Sequence, residues 1–312
     1  MKRVGNLYDK IYDIDNIRKA HQNARKRKTH YAEVKAVDAD VDKYCYEIQA
    51  MLKDKTFVNG KYEVFKKVEK GKEREIYKLP YFPDRIVHHA IMQILEPIWK
   101  STLITDTYQS IKGRGVHKAK NKIQWILRKN QIKYALKIDV QKFYPSIDNG
   151  ILKDTLRKKI KCKSTLWLLD TIVDSTVGVP IGNYLSQYFG NLYLSGLDHY
   201  VKEDVRAKHY FRYCDDIVVL SNDKELLHRA RVAIKAHLQK LGLHMKRTYQ
   251  VQQVDDRGLD FLGYRMFCRY TLLRTRLATS IKRAYAHKSL VSYNGWIVSC
   301  DGYNLAKYKG IV

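Results

Sequence analysis

At positions 211–220 the sequence reads Phe211-Arg212-Tyr213-Cys214-Asp215-Asp216-Ile217-Val218-Val219-Leu220. Aromatic residues precede the two aspartates and an apolar run follows them, which predicts two strands joined by a tight turn. Burial of such a hairpin would hold Asp215 and Asp216 side by side at its tip, where their repulsion is tolerable if a cation binds. Aspartate is also common in ordinary solvated turns, so this stretch alone leaves both interpretations open.

The composition indicates a polyanionic partner. The chain has 312 residues, which is enough for two or three packed subdomains, and 59 Lys and Arg against 32 Asp and Glu give a net charge of +27. A charge of this size exceeds what solubility requires. The 24 tyrosines suit a surface that pairs phosphates and stacks bases, although tyrosine is also an ordinary half-buried core residue.

Cysteine usage and hydropathy narrow the class of protein. The five cysteines are scattered, with no Cys-x-x-Cys spacing, which argues against a zinc site or a disulfide scaffold and fits a reducing compartment. The stretch Met1–Gly5 lacks the apolar segment of a signal peptide, and no run approaches the roughly 20 apolar residues of a membrane span. We therefore expect a cytoplasmic protein with no membrane partner.

In the first part of the chain, the sequence pattern predicts helices followed by a basic hairpin. Residues 6–56 have helical spacing, with a second helix near 38–54, and the run Arg25–Lys28 between helices is either a solvated face or a phosphate contact. A strand at 62–68 leads into a hairpin that turns at Gly71. A strongly apolar helix follows, with Asp84 as its expected N-cap.

The central part of the chain predicts an α+β unit. The predicted order begins with a strand at 133–140, helices over 149–175 and 184–200, and a hairpin at 208–221. A helix opened by a capping box at Asn222–Glu225 comes next, and strands near 248–254 and 261–264 follow. Such an order gives an antiparallel sheet backed by helices on one face. The residues from Met266 onward are basic and predicted to be helical.

Three carboxylates are expected to meet at one end of this sheet. Asp139 ends an apolar strand, and Asp215 and Asp216 occupy the hairpin tip, so adjacent strands would bring all three together. With no His or Cys cluster nearby, such a set matches hard divalent cations with oxygen ligands. Two such ions form the clamp used for in-line phosphoryl transfer.

The ordered motifs resemble those of reverse transcriptases over about residues 60–300. Three palm motifs are matched by Asp139-Val140-x-x-Phe143-Tyr144, by Gly182–Gln187 and by Tyr213-Cys214-Asp215-Asp216. The remaining matches are Leu241–Lys246, Phe261–Tyr264, Tyr108 with Gly113-Arg114-Gly115, and, for the fingers motif of group II intron-type enzymes, Arg74 with Leu79-Pro80 and Asp84–Val87.

The resemblance implies an α+β right-hand polymerase fold with fingers, a palm whose antiparallel sheet is backed by helices, and a short helical thumb. The expected domains are 1–132 for the N-terminal helices and fingers, 133–265 for the palm with a fingers insertion at about 150–178, and 266–312 for the thumb.

The resemblance also implies residue roles. Asp139, Asp215 and Asp216, with the Val140 carbonyl, would hold two Mg²⁺, for which Mn²⁺ could substitute. Tyr144 would be the steric gate against a ribose 2′-hydroxyl, the alternative being an ordinary core aromatic. The other implied contacts are Lys72 and Arg74 with the incoming triphosphate, Lys246 as proton donor to pyrophosphate, Ile181, Gly182 and Gln187 at the nucleotide, and Arg114, Tyr213, Leu262 and Gly263 along the template and primer.

The loop Val179–Gln187 departs from most of the family. Ile181 stands where most intron-type and retroviral enzymes have Gln, and Gln187 stands where intron-type enzymes have Pro; the pattern is similar to reverse transcriptases of diversity-generating retroelements. That resemblance implies a bacterial or phage-encoded enzyme that copies a template RNA into cDNA with errors opposite adenine. Its implied partners are that RNA, the cDNA primer and product, deoxynucleoside triphosphates and an accessory variability determinant protein oligomer.

Two alternatives remain at this stage. A group II intron-like, retron-like or defence-associated reverse transcriptase would share the catalytic motifs, but the Ile181 and Gln187 pattern disfavours it. A catalytically inactive RNA-binding scaffold would need only the positive charge. The intact set of Asp139, Asp215 and Asp216 argues against the scaffold, because a scaffold has no need of three converging carboxylates.

Overall fold

The computed structural model describes residues 2–69, 71–283 and 293–301. The chain divides into two compact units. The first unit comprises Met1–Ile104, Gln141–Gly196 and Gln239–Leu243, and the second comprises Thr105–Val140, Leu197–Leu238 and His244–Val312. The division into fingers, palm and thumb at 1–132, 133–265 and 266–312 stays a prediction.

The helices and strands occur in groups along the chain. In chain order the helices are α1 (Tyr8–Tyr12), α2 (Ile14–Ala24), α3 (Ala32–Ala39), α4 (Val41–Lys53), α5 (Ile86–Lys100), α6 (Val116–Asn130), α7 (Asn149–Arg157), α8 (Lys163–Val173), α9 (Ser186–Tyr193), α10 (Ser195–Glu203), α11 (Lys224–Lys240), α12 (Val254–Arg257) and α13 (Thr275–Arg283). The strands are β1 (Glu63–Glu69), β2 (Lys72–Lys78), β3 (Tyr134–Asp139), β4 (His209–Tyr213), β5 (Asp216–Ser221), β6 (Gln250–Gln253), β7 (Leu259–Phe261), β8 (Tyr264–Met266) and β9 (Thr271–Leu273).

The first unit combines helices with the predicted basic hairpin. Strands β1 and β2 pair antiparallel, and Gly71 in their turn has φ 76°, a left-handed conformation that favours glycine. Helix α5 is buried over most of its length, through apolar residues such as Ile86, Val87, Ile91 and Leu95 and also through His88 and His89. The helix predicted near 38–54 corresponds to α4, which begins at Val41 because Asp40 caps it by accepting the Lys43 N–H (3.1 Å).

Asp84 is not the N-cap that the sequence predicted. Within Tyr81–Arg85 the backbone is non-helical at Phe82 (φ −106°, ψ 135°), and Asp84 follows two residues after this break, in the turn that leads into α5 at Ile86. The buried carboxylate instead accepts the Gly60 N–H at 2.8 Å. Burial raises the pKa of Asp84 above its ordinary value, although the hydrogen bond from Gly60 opposes that rise. The side chain therefore fastens a distant loop to the start of α5.

The second unit contains the predicted antiparallel sheet, with strand order β4-β5-β3-β6. The apolar face of α6, including Ala119, Ile123 and Leu127, lies in one hydrophobic core with Phe211 and Val218 of the hairpin strands. The prediction of a sheet backed by a helix is therefore confirmed for α6. In the described ranges, no helix combines the length and the apolar character needed to cross a lipid bilayer.

Three local predictions in this part of the chain are wrong. The helix predicted over 184–200 is interrupted at Leu194, between α9 and α10. Asp223, rather than Asn222, accepts the Glu225 and Leu226 N–H groups, because the side-chain Oδ1 of Asn222 accepts the Lys133 N–H (2.8 Å). The residues from Met266 onward are not uniformly helical, because strand β9 precedes α13. Of the remaining predicted thumb, residues 293–297 are helical, and residues 284–292 and 302–312 lie outside the described residues.

The motif Phe261–Tyr264 is a hairpin rather than a strand. Leu262 and Gly263 form the two-residue turn between β7 and β8, with φ values of 56° and 85°. Positive φ at both central residues is the requirement of the tight turns that match strand twist. The sequence prediction failed because leucine rarely adopts this conformation.

Candidate active site

The structure brings Asp139 and Asp216 face to face on adjacent strands. Strands β3 and β5 pair antiparallel with Asp139 opposite Asp216, and Tyr213 of β4 lies opposite Asp216 on the other side. Cys214, in the turn, has φ 59°, which is uncommon for a residue other than glycine. The hairpin predicted at 208–221 thus places both of its aspartates beside the end of β3.

The carboxylates of the turn lie in a desolvated, negatively charged environment. Burial raises the pKa of Asp215. Burial, and then the negative charge of Asp215, raises the pKa of Asp216 to about 6, and the charge of Asp139 acts in the same direction. The charges of Lys137 and Lys246 lower the pKa of Asp216 but do not cancel the rise. A bound cation would add to their effect and favour the ionised carboxylates.

Lys246 binds directly to Asp139. Its ammonium nitrogen lies 2.5 Å from Asp139 Oδ1, and its backbone N–H donates to the Asp139 carbonyl oxygen at 2.9 Å. An isolated antiparallel bridge between Val140 and Met245 continues this pairing beyond β3. The segment that carries Lys246 is therefore held against the strand that carries Asp139.

The donor set fits a hard divalent cation, but it is not assembled as a metal site. Within the described ranges, no three His, Cys, Asp or Glu side chains converge closely enough to hold an ion. One oxygen of Asp139 is occupied by Lys246. Because the three side chains at this end of the sheet are carboxylates, oxygen-preferring ions such as Mg²⁺ match their chemistry. An ion bound there would compete with Lys246 for Asp139.

A buried ion pair that the sequence did not reveal holds the hairpin. Arg212 and Asp198 are both fully buried, and Arg212 Nε and Nη2 donate to the two oxygens of Asp198 at 2.7 and 2.6 Å. Tyr210 and Thr107 donate their hydroxyls to the same carboxylate. Arg212 Nη1 also donates to the Cys214 carbonyl oxygen at 2.9 Å, which fixes the turn that carries Asp215.

The loop with Ile181 and Gly182 belongs to the first unit and is attached to strand β2. The Tyr77 N–H donates to the Ile181 carbonyl oxygen at 2.8 Å, and Ile181 is half-buried. Gly182 has φ 127°, and a Cβ placed on it would collide with the Tyr77 carbonyl oxygen. Gln187, in α9, is exposed. The backbone at Ile181 and Gly182 is therefore closely fitted to strand β2 of the β1–β2 hairpin.

The other predicted nucleotide contacts also lie in the first unit. Tyr144 is half-buried beside the buried Phe143, with ring centroids 5.1 Å apart, so Phe143 fills the core position. Arg74 is exposed on β2 opposite Lys67, and Lys72 begins the same strand. Each of these three assignments stays a prediction.

The predicted template and primer residues lie in the second unit. Arg114 Nη1 donates to the Thr107 carbonyl oxygen at 2.9 Å, and Thr107 forms a bridge with Arg212. Leu262 and Gly263 occupy the β7–β8 turn, where Trp296 packs against Gly263. The described contacts join Asp139, Asp215, Asp216, Lys246 and Tyr213 into one cluster, and Leu262 of the β7–β8 turn packs against the same hydrophobic core as Tyr213.

Comparison with known proteins covers every predicted site residue. The family model described as reverse transcriptase (RNA-dependent DNA polymerase) matches residues 64–266. Protein YkfC of Escherichia coli (strain K12) is 24% identical over 237 residues, covering 60% of this chain and 62% of that protein. Nuclear intron maturase 1 of Arabidopsis thaliana, a mitochondrial protein, is 29% identical over 123 residues, covering 38% of this chain and 16% of its own length. The chain thus spans less than two thirds of either relative.

Solved telomerase structures share the fold. Apo telomerase from Candida tropicalis, truncated from its C-terminal domain, gives a TM-score of 0.52 at 16% identity over 70% of this chain and 55% of that one. Candida albicans telomerase in complex with a fragment of telomeric RNA gives a TM-score of 0.52 at 11% identity, covering 72% of this chain and 50% of that one. These likenesses confirm the predicted α+β polymerase fold. Because the family model matches well over half of the chain, the chain belongs to the reverse transcriptase (RNA-dependent DNA polymerase) family.

Proposed function

We propose that this protein is an RNA-directed DNA polymerase. The observation that carries the proposal is the pairing of Asp139 with Asp216, beside Asp215, within the segment that matches the family. The raised pKa of Asp216 indicates a site that needs cations. The reaction joins a primer 3′-hydroxyl to the α-phosphate of a deoxynucleoside triphosphate and releases pyrophosphate.

Each residue has a definite part in this proposal. Asp139, Asp215 and Asp216, with the Val140 carbonyl, would hold the ions. Reverse transcriptase domains generally use divalent metal ions, and Mg²⁺, or Mn²⁺ in its place, would activate the hydroxyl and neutralise charge on the phosphates. Lys246, already bound to Asp139, would give a proton to pyrophosphate once released from that carboxylate.

The substrate contacts complete the proposed site. Lys72 and Arg74 would bind the triphosphate, and Tyr144 would exclude a ribose 2′-hydroxyl. Ile181, Gly182 and Gln187 would contact the nascent pair, and Arg114, Tyr213, Leu262 and Gly263 the template and primer. The net charge of +27 supports an RNA template, because phosphate neutralisation dominates nucleic-acid affinity.

A finer assignment, to diversity-generating retroelements, rests on the loop chemistry. Ile181 offers only apolar contact where an amide could read the nascent pair, and a site without polar groups rejects mispairs weakly. Copying would therefore be error-prone opposite template adenines. The proposed partners are a retroelement template RNA and an accessory variability determinant protein oligomer, in a bacterial or phage-encoded cytoplasmic system.

Primer extension on an RNA template with Mg²⁺ tests the polymerase proposal. Wild type should extend the primer, and the Asp215→Ala/Asp216→Ala variant should not, while both bind the template–primer equally. Equal extension by the two proteins would overturn the proposal. RNA binding without extension by either protein, with Mg²⁺ or Mn²⁺, would favour the inactive scaffold instead.

A thermal-shift measurement checks the metal separately. Mg²⁺ should raise the melting temperature of wild type, because a ligand of the folded state stabilises it by mass action. The double variant should show no such rise. A matched rise in the variant would place the ion elsewhere.

A further inference from the structure

The outer side of α6 carries a basic groove that the proposed chemistry does not use. The groove encloses about 810 Å³ and is called here the α6 groove. Its lining residues are Lys120, Asn121, Gln124, Trp125, Arg128 and Lys129 of α6 together with Thr271, Val298, Ser299, Cys300 and Asp301.

The floor of the α6 groove is fixed by hydrogen bonds. Gln124 Nε2 donates to the Phe267 carbonyl oxygen at 2.8 Å, and Arg128 Nη2 donates to that of Arg269 at 2.7 Å. The Thr271 N–H donates to Asp301 at 2.7 Å. These bonds connect helix α6 with the loop before β9, and Thr271 with Asp301, so hydrogen bonds within the second unit hold the groove together.

The α6 groove presents an exposed indole beside cations. Trp125 is 56% exposed, and Lys129 Nζ lies 4.7 Å from its ring centroid. Three lining residues are cationic, and the acidic one, Asp301, already accepts the Thr271 N–H. Among the described residues, Trp125 is the only tryptophan so exposed. The surface therefore offers one stacking face together with positive charge.

This surface lies away from Asp139, Asp215 and Asp216, the carboxylates of the proposed polymerase site, which is called here the copying site. Ile123 and Leu127, on the opposite side of α6 from Trp125, are buried in the core with the hairpin strands. Trp125 therefore faces outward from the layer that covers the sheet. From Lys120 to Lys129 the helix extends about 13 Å, the length of about four stacked nucleotides.

We propose that the α6 groove binds a single-stranded stretch of RNA outside the copying site. Trp125 would stack on an unpaired base, and the exposed Arg128 and Lys129 would bind the flanking phosphates. Lys120 is only 9% exposed and lies over the Tyr264 ring, so it adds positive charge beneath the groove. Duplex RNA keeps its base faces covered and offers nothing to the indole. Charge decides against an ordinary protein partner, because the exposed apolar lining consists of Trp125 and Val298 amid three cations.

The first test measures binding with the copying site filled. The Asp215→Ala/Asp216→Ala protein is saturated with a template–primer duplex and titrated with a fluorescent eight-nucleotide RNA, with a DNA of the same sequence in parallel. Trp125→Ala should weaken RNA binding by roughly five- to a hundredfold, the usual effect of losing one stacked base. Lys129→Gln should weaken it less and lower its salt dependence.

A matched variant separates stacking from general exposure of aromatic rings. Tyr46 is 54% exposed with Arg18 at 5.9 Å from its ring, but Arg18 is paired with Asp15 and Asp42. Tyr46→Ala should leave RNA binding unchanged. Equal binding by wild type and Trp125→Ala, or equal losses in Trp125→Ala and Tyr46→Ala, would overturn the proposal.

Photo-crosslinking locates the RNA directly. An oligonucleotide carrying 5-iodouridine should crosslink to the peptide that contains Trp125, and crosslinks confined to other peptides would contradict the proposal. Primer extension by Trp125→Ala on a short template should match wild type, because Trp125 has no part in the copying site. The result is thus independent of whether the polymerase proposal holds.

Discussion

At the scale of single residues, Arg212 shows how one buried side chain positions the catalytic turn. Burial alone would lower the pKa of Arg212, but the charge and hydrogen bonds of Asp198 outweigh burial and raise it. The guanidinium stays charged and links the Asp198 carboxylate to the Cys214 carbonyl. The geometry of the turn therefore depends on an ion pair inside the second unit.

Arg212→Met should destabilise the protein by about 3–5 kcal/mol, because the Asp198 carboxylate is left buried without a counter-charge. Denaturant unfolding measures the loss. The control is Arg157→Met, which removes a pair with Asp170 whose side chains are 37% and 26% exposed and should cost less than about 1 kcal/mol. Similar losses in the two variants would contradict the buried-pair argument.

Ile181→Gln should lower misincorporation opposite template adenine. The introduced amide could hydrogen-bond the nascent pair and be left unpaired by a wrong base, which penalises mispairs. The measurement is sequencing of cDNA made on a defined RNA. Ile181→Val, which keeps the apolar contact, should retain the wild-type error spectrum. An unchanged adenine error rate in Ile181→Gln would refute this account of fidelity.

At the scale of elements, the loop 179–185 is fitted to strand β2 at Gly182. Gly182→Ala would combine left-handed strain with a clash against the Tyr77 carbonyl oxygen. Gly242→Ala isolates the strain, because Gly242 has φ 69° with nothing within 4 Å of a Cβ. We expect a lower unfolding midpoint for Gly182→Ala than for Gly242→Ala, together with weaker nucleotide binding. Equal midpoints would mean that the loop moves freely away from β2.

Elements whose signal is local were predictable from the sequence. The aromatic and apolar runs on either side of Asp215 and Asp216 predicted both hairpin strands, and the apolar run ending at Asp139 predicted β3. The structure pairs these strands in one sheet, as expected. Asp84 and the turn at Leu262 were not predictable. Each depends on tertiary context: the first on a backbone N–H 24 residues upstream, the second on packing that holds leucine at positive φ.

The buried pair of Arg212 and Asp198 was only partly predictable from the sequence. An arginine inside an apolar strand run is a signal, since an unpaired charge is rarely buried. The sequence could not name the partner, because the site also draws on Thr107, 91 residues before Asp198. Sequence reasoning therefore finds the carboxylates of the candidate site but misses the residues that hold them.

At the scale of the whole molecule, a net charge of +27 predicts how RNA binding responds to salt. Each phosphate neutralised releases counterions, so the logarithm of affinity should fall linearly with the logarithm of salt concentration, by about 0.7 per phosphate for a single strand. With about six phosphates bound, affinity should fall by roughly two to three decades between 50 and 200 mM salt.

Filter binding across that salt range measures the slope. An uncharged peptide-nucleic-acid oligomer of the same sequence is the control and should show almost no salt dependence, because it carries no phosphates. Lys129→Gln combined with Arg128→Gln should flatten the RNA slope by about 1.4, two phosphates' worth. A wild-type slope close to that of the uncharged oligomer would show that the positive charge serves something other than RNA.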